Sequence, residues 1–312
     1  EDLEAAAVRM VRQEQASRKF EDDRRCRELP IEISETELGF LGATASAMIR
    51  AETKGQYPAP VAALEVLLEG AMLDVPTALA REAQAMGQLF GSEVNASLLN
   101  VFFLTDRNKK DPGVDSDIKP TKLERVGVVG AGIMGAGIAA ANLKRGVQVL
   151  LADASAKSLY GGLQNALDDA AYDRATKGPS LAKMKQQAPL INALSSQEDW
   201  SSCDLVIEAI VENEEIKRKI LAEIEGHLPE TAILASNTST IPITKLAQSL
   251  KRPDRFCGIH FFNPVRKMQL VEVIRGEMTS DETVAQAVAH AKRLGKMPIV
   301  LKDGPGFLVN RL

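Results

Sequence analysis

The apolar positions divide the chain into two textures. Over the first third they recur at three- and four-residue steps, the period of a helix with one buried face. Residues 1–33 are charged and polar, with a helix-like run over 3–19 and an end at Leu29-Pro30. Over 35–53 a helix is predicted by Leu38, Leu41, Ala45, Met48 and Ile49. Gly55-Gln56-Tyr57-Pro58-Ala59-Pro60 stops it, because proline lacks a donor and restrains the residue before it. Three more helices are predicted over 61–69, 76–90 and 92–106. In the second, Leu79, Ala83, Met86 and Phe90 are expected to form a buried stripe. The stretch 108–122, with Asn108-Lys109-Lys110-Asp111-Pro112-Gly113, is polar and rich in turn formers. It reads as a solvated linker.

Beyond residue 123 short apolar runs alternate with helical patterns. The runs are 125–129, 147–152, 205–210, 231–235, 256–262 and 270–275. This alternation predicts an α/β fold, a doubly wound parallel sheet covered by helices and preceded by a helical segment. The boundaries are 1–107 for the helical part, 108–122 for the linker and 123–303 for the sheet domain.

Composition narrows the classes. A length of 312 residues holds two ordinary domains, and 45% hydrophobic with 26% charged residues suits a globular core. A net charge of −4 argues against a nucleic-acid surface, which needs a basic patch. No run of about eighteen apolar residues predicts a membrane span, and no signal or transit segment is legible. Cys26, Cys203 and Cys257 lie far apart without metal-ligand spacing, so no metal is expected. Reduced, buried or incidental thiols in a cytoplasmic protein are the expectation. The chain starts at Glu1 and stops at residue 312 directly after a strand-and-turn pattern, as a piece of a longer protein would.

The run 125–129 leads into Gly130-Ala131-Gly132-Ile133-Met134-Gly135, a GxGxxG, and then into a helix rich in small residues that closes at Lys144-Arg145-Gly146. Gly130 suits the tight turn, Gly132 the close approach of a pyrophosphate, and Gly135 helix–strand contact. Ile133 and Met134 open the helix whose unpaired amides would receive the phosphates. Asp153, 18 residues after Gly135, can accept from both ribose hydroxyls and would repel a 2′-phosphate, so NAD is the expected cofactor. Glu212 and Lys217 follow the end of another strand, where ligands bind in open α/β sheets. Each is also readable as a solvated helix charge.

Three histidines are present. His227 ends a helical run, and His290 sits in an amphipathic helix, expected near its surface. His260 interrupts an apolar strand and needs a partner there. If the chain folds back around Arg266, Glu272 falls opposite it and can hold one tautomer, the arrangement of a general base. A buried ion pair serving the fold alone is the competing reading. In Ser236-Asn237-Thr238-Ser239-Thr240 the hydroxyls can meet a ligand or cap the following helix.

Together Gly130–Gly135, residues 208–213, Ser236-Asn237-Thr238-Ser239, His260-Phe261-Phe262-Asn263-Pro264, Leu270-Val271-Glu272 and residues 304–311 resemble the 3-hydroxyacyl-CoA dehydrogenase family, across about 123–312. The part before them, with residues 55–60 and Phe102-Phe103, resembles the end of a crotonase-type enoyl-CoA hydratase domain and its linker helix. That pairing resembles the alpha subunit of a bacterial fatty-acid oxidation complex. The resemblance implies a Rossmann-type domain that oxidises (S)-3-hydroxyacyl-CoA with NAD. It implies His260 as catalytic base, Glu272 as its orienting carboxylate and Ser239 as donor to the substrate hydroxyl. Asn310, with Asn263, would position the acyl thioester, while Glu212 and Lys217 would face the cofactor. It further implies a thiolase beta subunit as partner, and 304–312 as the start of a C-terminal helical domain that completes the acyl-CoA site. The paired glutamates of the hydratase family have no counterpart here, so no hydratase activity is expected, and without that helical domain weak or absent dehydrogenase turnover is expected of residues 1–312. The alternative is a non-catalytic NAD-binding scaffold of the same fold.

Overall fold

A computed structural model describes residues 2–27, 31–115, 117–194 and 197–311; the expected end at Leu29-Pro30 lies outside them. The chain divides into two compact units, Glu1–Leu104 and Thr105–Leu312.

The first unit is helical: α1 (Leu3–Ser17), α2 (Lys19–Arg27), α3 (Glu35–Thr53), α4 (Pro58–Gly70), α5 (Val75–Leu89) and most of α6 (Glu93–Lys110). Side-chain caps set several starts. Ser34 and Glu37 form a reciprocal capping box on α3, and Asp74 caps α5 ahead of Pro76. α3 packs mainly on α4 and α4 on α5. The stripe expected on α5 is not buried: Leu79 is 57%, Met86 50% and Phe90 69% exposed. Periodicity identifies a shared face, but α3, α4 and α5 lean on one another through small residues, Gly42 under Leu68 and Gly70 beside Ala78.

The second unit is built on β1 (Arg125–Val129), α7 (Ile133–Leu143), β2 (Gln148–Ala152), α8 (Ala156–Ala170) and the small hairpin β3 (Tyr172–Asp173) and β4 (Gly178–Pro179). α9 (Leu181–Gln187), β5 (Ile191–Ala193), β6 (Leu205–Glu208), α10 (Glu214–Glu225), β7 (Ile233–Ser236) and α11 (Ile243–Ala247) follow. β8 (Phe256–Phe261), β9 (Leu270–Arg275), α12 (Asp281–Arg293) and β10 (Met297–Lys302) complete it. Eight strands form one sheet in the order β10-β9-β8-β7-β6-β1-β2-β5. From β5 to β8 all neighbours are parallel, while β9 returns antiparallel to β8 and β10 runs parallel to β9. The order around β1 is that of a doubly wound Rossmann-type sheet, with its reversal point between β1 and β6.

Alternate residues of the buried strands feed two cores. Val126, Val128, Leu205 and Val273 meet α7, α8 and α12 on one face; Val206, Leu234, Phe256 and Ile274 meet α10 and α11 on the other. β5 and β10 lie outside the six apolar runs read from the sequence. β5 has three residues, and β10 contains Pro298, which weakens a strand pattern. The stretch expected to be a solvated linker is partly seated. Asn108 Nδ2 donates to Pro298 O at 2.7 Å, and Gly113 (φ +80°) lies so close to Val288 and Val300 that a Cβ there would approach each to 2.7 Å. Among the described residues no helix is long and apolar enough to cross a membrane.

Candidate functional site

The glycine turn shows three different demands. Gly130 has φ +99°, and a Cβ there would lie 2.5 Å from Ala209 O. At Gly135 it would lie 1.7 Å from Gly130 O, so the start of α7 can approach β1 only without a side chain. At Gly132 nothing lies within 4 Å of that position, so its openness is room for a ligand rather than for the protein. Gly132 is the N-cap of α7 and no side chain caps that end, leaving amides and a positive dipole end for phosphate. Asp153 stands at the end of β2, where Oδ2 accepts from Ala131 N and Oδ1 from Ser155 N, each at 2.8 Å. Ile133 is exposed and Met134 half-buried beside the turn. A cleft of about 520 Å³ joins Gly130, Gly132 and Asp153 to Leu194, Ile210 and Ile216. Its lining is mostly apolar and includes the carboxylates of Asp153 and Glu223, and with Asp153 beside the glycine turn it fits an adenosine and its ribose.

On the other side of the reversal point a buried charge network shapes the loops. Lys217, 1% exposed, places Nζ 2.6 Å from Glu208 Oε1, 3.3 Å from Glu212 Oε2 and 3.4 Å from Ile210 O. Glu208 also accepts from Ile210 N and from the Ser236 hydroxyl, tying the ends of β6 and β7 together. Lys217 therefore sits beneath Glu212 and supports it from below. Glu212 Oε1 accepts from the Thr238 hydroxyl at 2.6 Å and from Ser239 N at 2.9 Å, with Thr240 N at 3.2 Å. Burial opposes the charge on Glu212, but the Thr238 hydroxyl, the Lys217 ammonium and the Ser239 amide outweigh it and hold the carboxyl below its ordinary range. The serine–threonine loop is thus wrapped around one carboxylate, with Ser239 at its tip.

Two strands further along the sheet, β8 and β9 place His260 directly opposite Glu272. Both side chains point to the α10/α11 face, with His260 6% and Glu272 0% exposed, and Nδ1 lies 2.7 Å from Oε2. A carboxylate only accepts, so Nδ1 carries a hydrogen, and in the neutral ring Nε2 then keeps its lone pair. The ring is flanked by Phe262 at 4.5 Å and Phe307 at 5.9 Å between centroids. Asn237 Oδ1 accepts from Phe261 N at 2.8 Å, linking β8 to the serine loop. Asn310 approaches from the chain end, its Nδ2 donating to Ser239 O at 3.3 Å. Asn263 is exposed beyond the end of β8, in a cis bond to Pro264. β8 lies three strands from β1, about 14 Å at ordinary strand spacing, along the carboxyl edge where a dinucleotide extends.

A family model described as "3-hydroxyacyl-CoA dehydrogenase, NAD binding domain" matches residues 125–304, more than half of the chain. The chain belongs to the 3-hydroxyacyl-CoA dehydrogenase family. Its dehydrogenase unit is similar to (S)-3-hydroxybutyryl-CoA dehydrogenase from Ralstonia eutropha, at 44% identity over 61% of this chain and 68% of that one, with a TM-score of 0.58. A 3-hydroxybutyryl-CoA dehydrogenase from Escherichia coli K12 is 36% identical, over 61% of this chain and 40% of its own length, also at 0.58. The dehydrogenase part of multifunctional enzyme 1 from C. elegans is 25% identical, over 61% of this chain and 44% of that one, at 0.55. The chain thus spans about two thirds of the first relative and under half of the other two. The glycine turn belongs to the NAD-binding domain of this family, and NAD is the cofactor that the cradle fits.

Other residues of the dehydrogenase unit depart from their sequence reading or escaped it. His290 was expected near the surface but is 4% exposed, because its face of α12 packs on α7, where Nε2 lies 2.9 Å from Asn142 Oδ1. Burial, helped by Arg293, pushes it down to about 4. Cys203 and Cys257 are buried, and burial pushes both thiols up to about 12, while Cys26 is exposed. Glu208 and Phe307 lie within the family-like stretches 208–213 and 304–311, where the sequence assigns neither a role. A buried carboxylate in an apolar strand was the available signal for the first.

Proposed function

We propose that this chain carries the hydride- and proton-transfer site for oxidising (S)-3-hydroxyacyl-CoA to 3-oxoacyl-CoA. The observation that carries it is the 2.7 Å bond from His260 Nδ1 to Glu272, which leaves Nε2 free on the carboxyl edge of the sheet. His260 Nε2 takes the hydroxyl proton of the substrate, and Glu272 stabilises the imidazolium that forms. Ser239 donates to the substrate oxygen from the loop that Glu212 holds in place. Asn310 and Asn263 position the thioester, and proximity rather than new bonding to the protein lowers the barrier. Asp153 holds the ribose hydroxyls, and the amides of α7 hold the phosphates. When bound, NAD supplies a hydride acceptor.

The setting is fatty-acid oxidation in the cytoplasm of a bacterium. Residues 1–107 form the end of an enoyl-CoA hydratase domain and its linker helix, and the parent protein is a multifunctional alpha subunit that meets a thiolase. This wider reading is supported by the resemblance of residues 55–60 and 102–103. It accords with the dehydrogenase part of a multifunctional enzyme among the similar structures.

The test is to incubate the chain with acetoacetyl-CoA and NADH and to follow 3-hydroxybutyryl-CoA by mass spectrometry, with His260→Gln as control. Slow product formation above the control is expected, with the control reduced about 10²- to 10⁴-fold and binding NADH equally well. Product no faster than the control would favour a cofactor-binding scaffold without catalysis.

A further inference from the structure

The segment after β10 closes on the proton-transfer pair from the far side. Asp303 accepts from Ile243 N and Thr244 N at 3.0 and 2.8 Å, anchoring the segment to the start of α11. Phe307 is 1% exposed and adopts φ +50°, a conformation rare for a side chain of its size. Burial of its ring beside His260 holds it there. The next two amides, Leu308 N and Val309 N, both donate to Glu272 Oε1, at 3.0 and 2.9 Å. The other oxygen of the same carboxylate receives His260 Nδ1.

We propose that the backbone amides of Leu308 and Val309 are positioning groups for the catalytic pair. They occupy one oxygen of Glu272, fix the rotation of its carboxylate, and so reserve the second oxygen for His260 and set the ring's tautomer. The inference rests on reading His260 as the base. In the native carboxylate the two oxygens are equivalent acceptors, so the clamp becomes visible when they are made different. In Glu272→Gln one terminal atom accepts and the other only donates. Glu272 is 0% exposed, and turning the NH2 group toward two N–H donors would leave three buried donors facing one another without an acceptor. The oxygen therefore stays with Leu308 and Val309, and the NH2 group faces His260. The imidazole must then accept at Nδ1 and carry its hydrogen on Nε2, where it can no longer act as a base. Without the clamp, the amide turns its oxygen to the ring and the native tautomer persists.

The experiment is nitrogen-15 imidazole NMR of His260 in the wild type and in Glu272→Gln, at a pH where the ring is neutral, with NADH titrations of both. The hydrogen is expected on Nδ1 in the wild type and on Nε2 in the variant. NADH affinity should be unchanged, and acetoacetyl-CoA reduction lowered about 10³- to 10⁴-fold, as a wrong tautomer produces. A variant that keeps its hydrogen on Nδ1 overturns the proposal. The tautomer is read without turnover, so a wild-type chain inactive on acetoacetyl-CoA would sink the dehydrogenase reading and leave this result standing. Should the variant fail to fold, hydrogen exchange of the Leu308 and Val309 amides in the wild type decides instead. Exchange at least tenfold slower than in a random coil supports the clamp; coil-like exchange overturns it.

Discussion

Gly132 and Gly135 stand three residues apart in one turn, and alanine at each should fail in a different way. At Gly132 a Cβ meets nothing within 4 Å, and φ −70° with ψ −169° is accessible to alanine. Gly132→Ala should therefore fold, at a cost of about 1 kcal/mol or less for exchanging an N-cap glycine. The added methyl projects into the space through which a pyrophosphate reaches the α7 amides. Losing or lengthening one charge-assisted hydrogen bond of about 1.5–3 kcal/mol weakens NADH binding roughly 10- to 150-fold. At Gly135 the Cβ would meet Gly130 O at 1.7 Å, a backbone atom that cannot rotate away. Gly135→Ala must separate α7 from β1, and a cost of about 3 kcal/mol is expected, at the upper end of ordinary overpacking. NADH fluorescence titration and thermal melts of the two variants read the contrast. Gly132→Ala binding NADH within about twofold of the wild type, or melting as low as Gly135→Ala, would refute the two separate roles of these glycines.

Two further outcomes follow from buried charge. Asn142 Nδ2 donates to Ile138 O, so its oxygen takes the His290 Nε2 hydrogen and Nδ1 has no partner among the described residues. With a folded value of about 4 against an ordinary 6.5, the unfolded chain binds a proton that the folded chain refuses. This stability is whole above pH 6.5 and is lost as pH falls toward 4, at roughly 1.4 kcal/mol per unit and about 3 kcal/mol in all. Urea unfolding at pH 7 and pH 5 should show a smaller loss in His290→Gln than in the wild type; equal losses would contradict the assignment. Lys217→Met leaves the Glu208 carboxyl at 0% exposure without its ammonium partner, and a destabilisation of about 3–5 kcal/mol is expected. A chemical-denaturation difference below about 1 kcal/mol would show that the pair is dispensable.

The sheet and the contact of His260 with Glu272 were legible because both follow from local pattern. A polar ring in an apolar strand demands a partner, and alternation with one reversal of the chain brings residue 272 opposite residue 260. The glycine turn was legible because its spacing states backbone geometry directly. What escaped was tertiary. Nothing in the sequence around Lys217 distinguishes an ammonium seated on Glu208 from a solvated helix charge. His290 looks like a surface residue until α12 meets Asn142 on α7. The donors of Leu308 and Val309 to Glu272 are backbone groups and leave no trace in side-chain identity. On α5 the period gave the apolar face of Leu79, Met86 and Phe90, but not whether anything covers it.

The place where an acyl thioester puts its 3-oxygen decides whether His260 is the base. A crystal structure of the protein with NADH and acetoacetyl-CoA measures it. The prediction is that this oxygen lies about 2.6–3.2 Å from His260 Nε2, with C3 about 3–3.5 Å from the nicotinamide carbon that carries the hydride. An oxygen bound elsewhere, with His260 Nε2 facing neither substrate nor a bridging water, would contradict it.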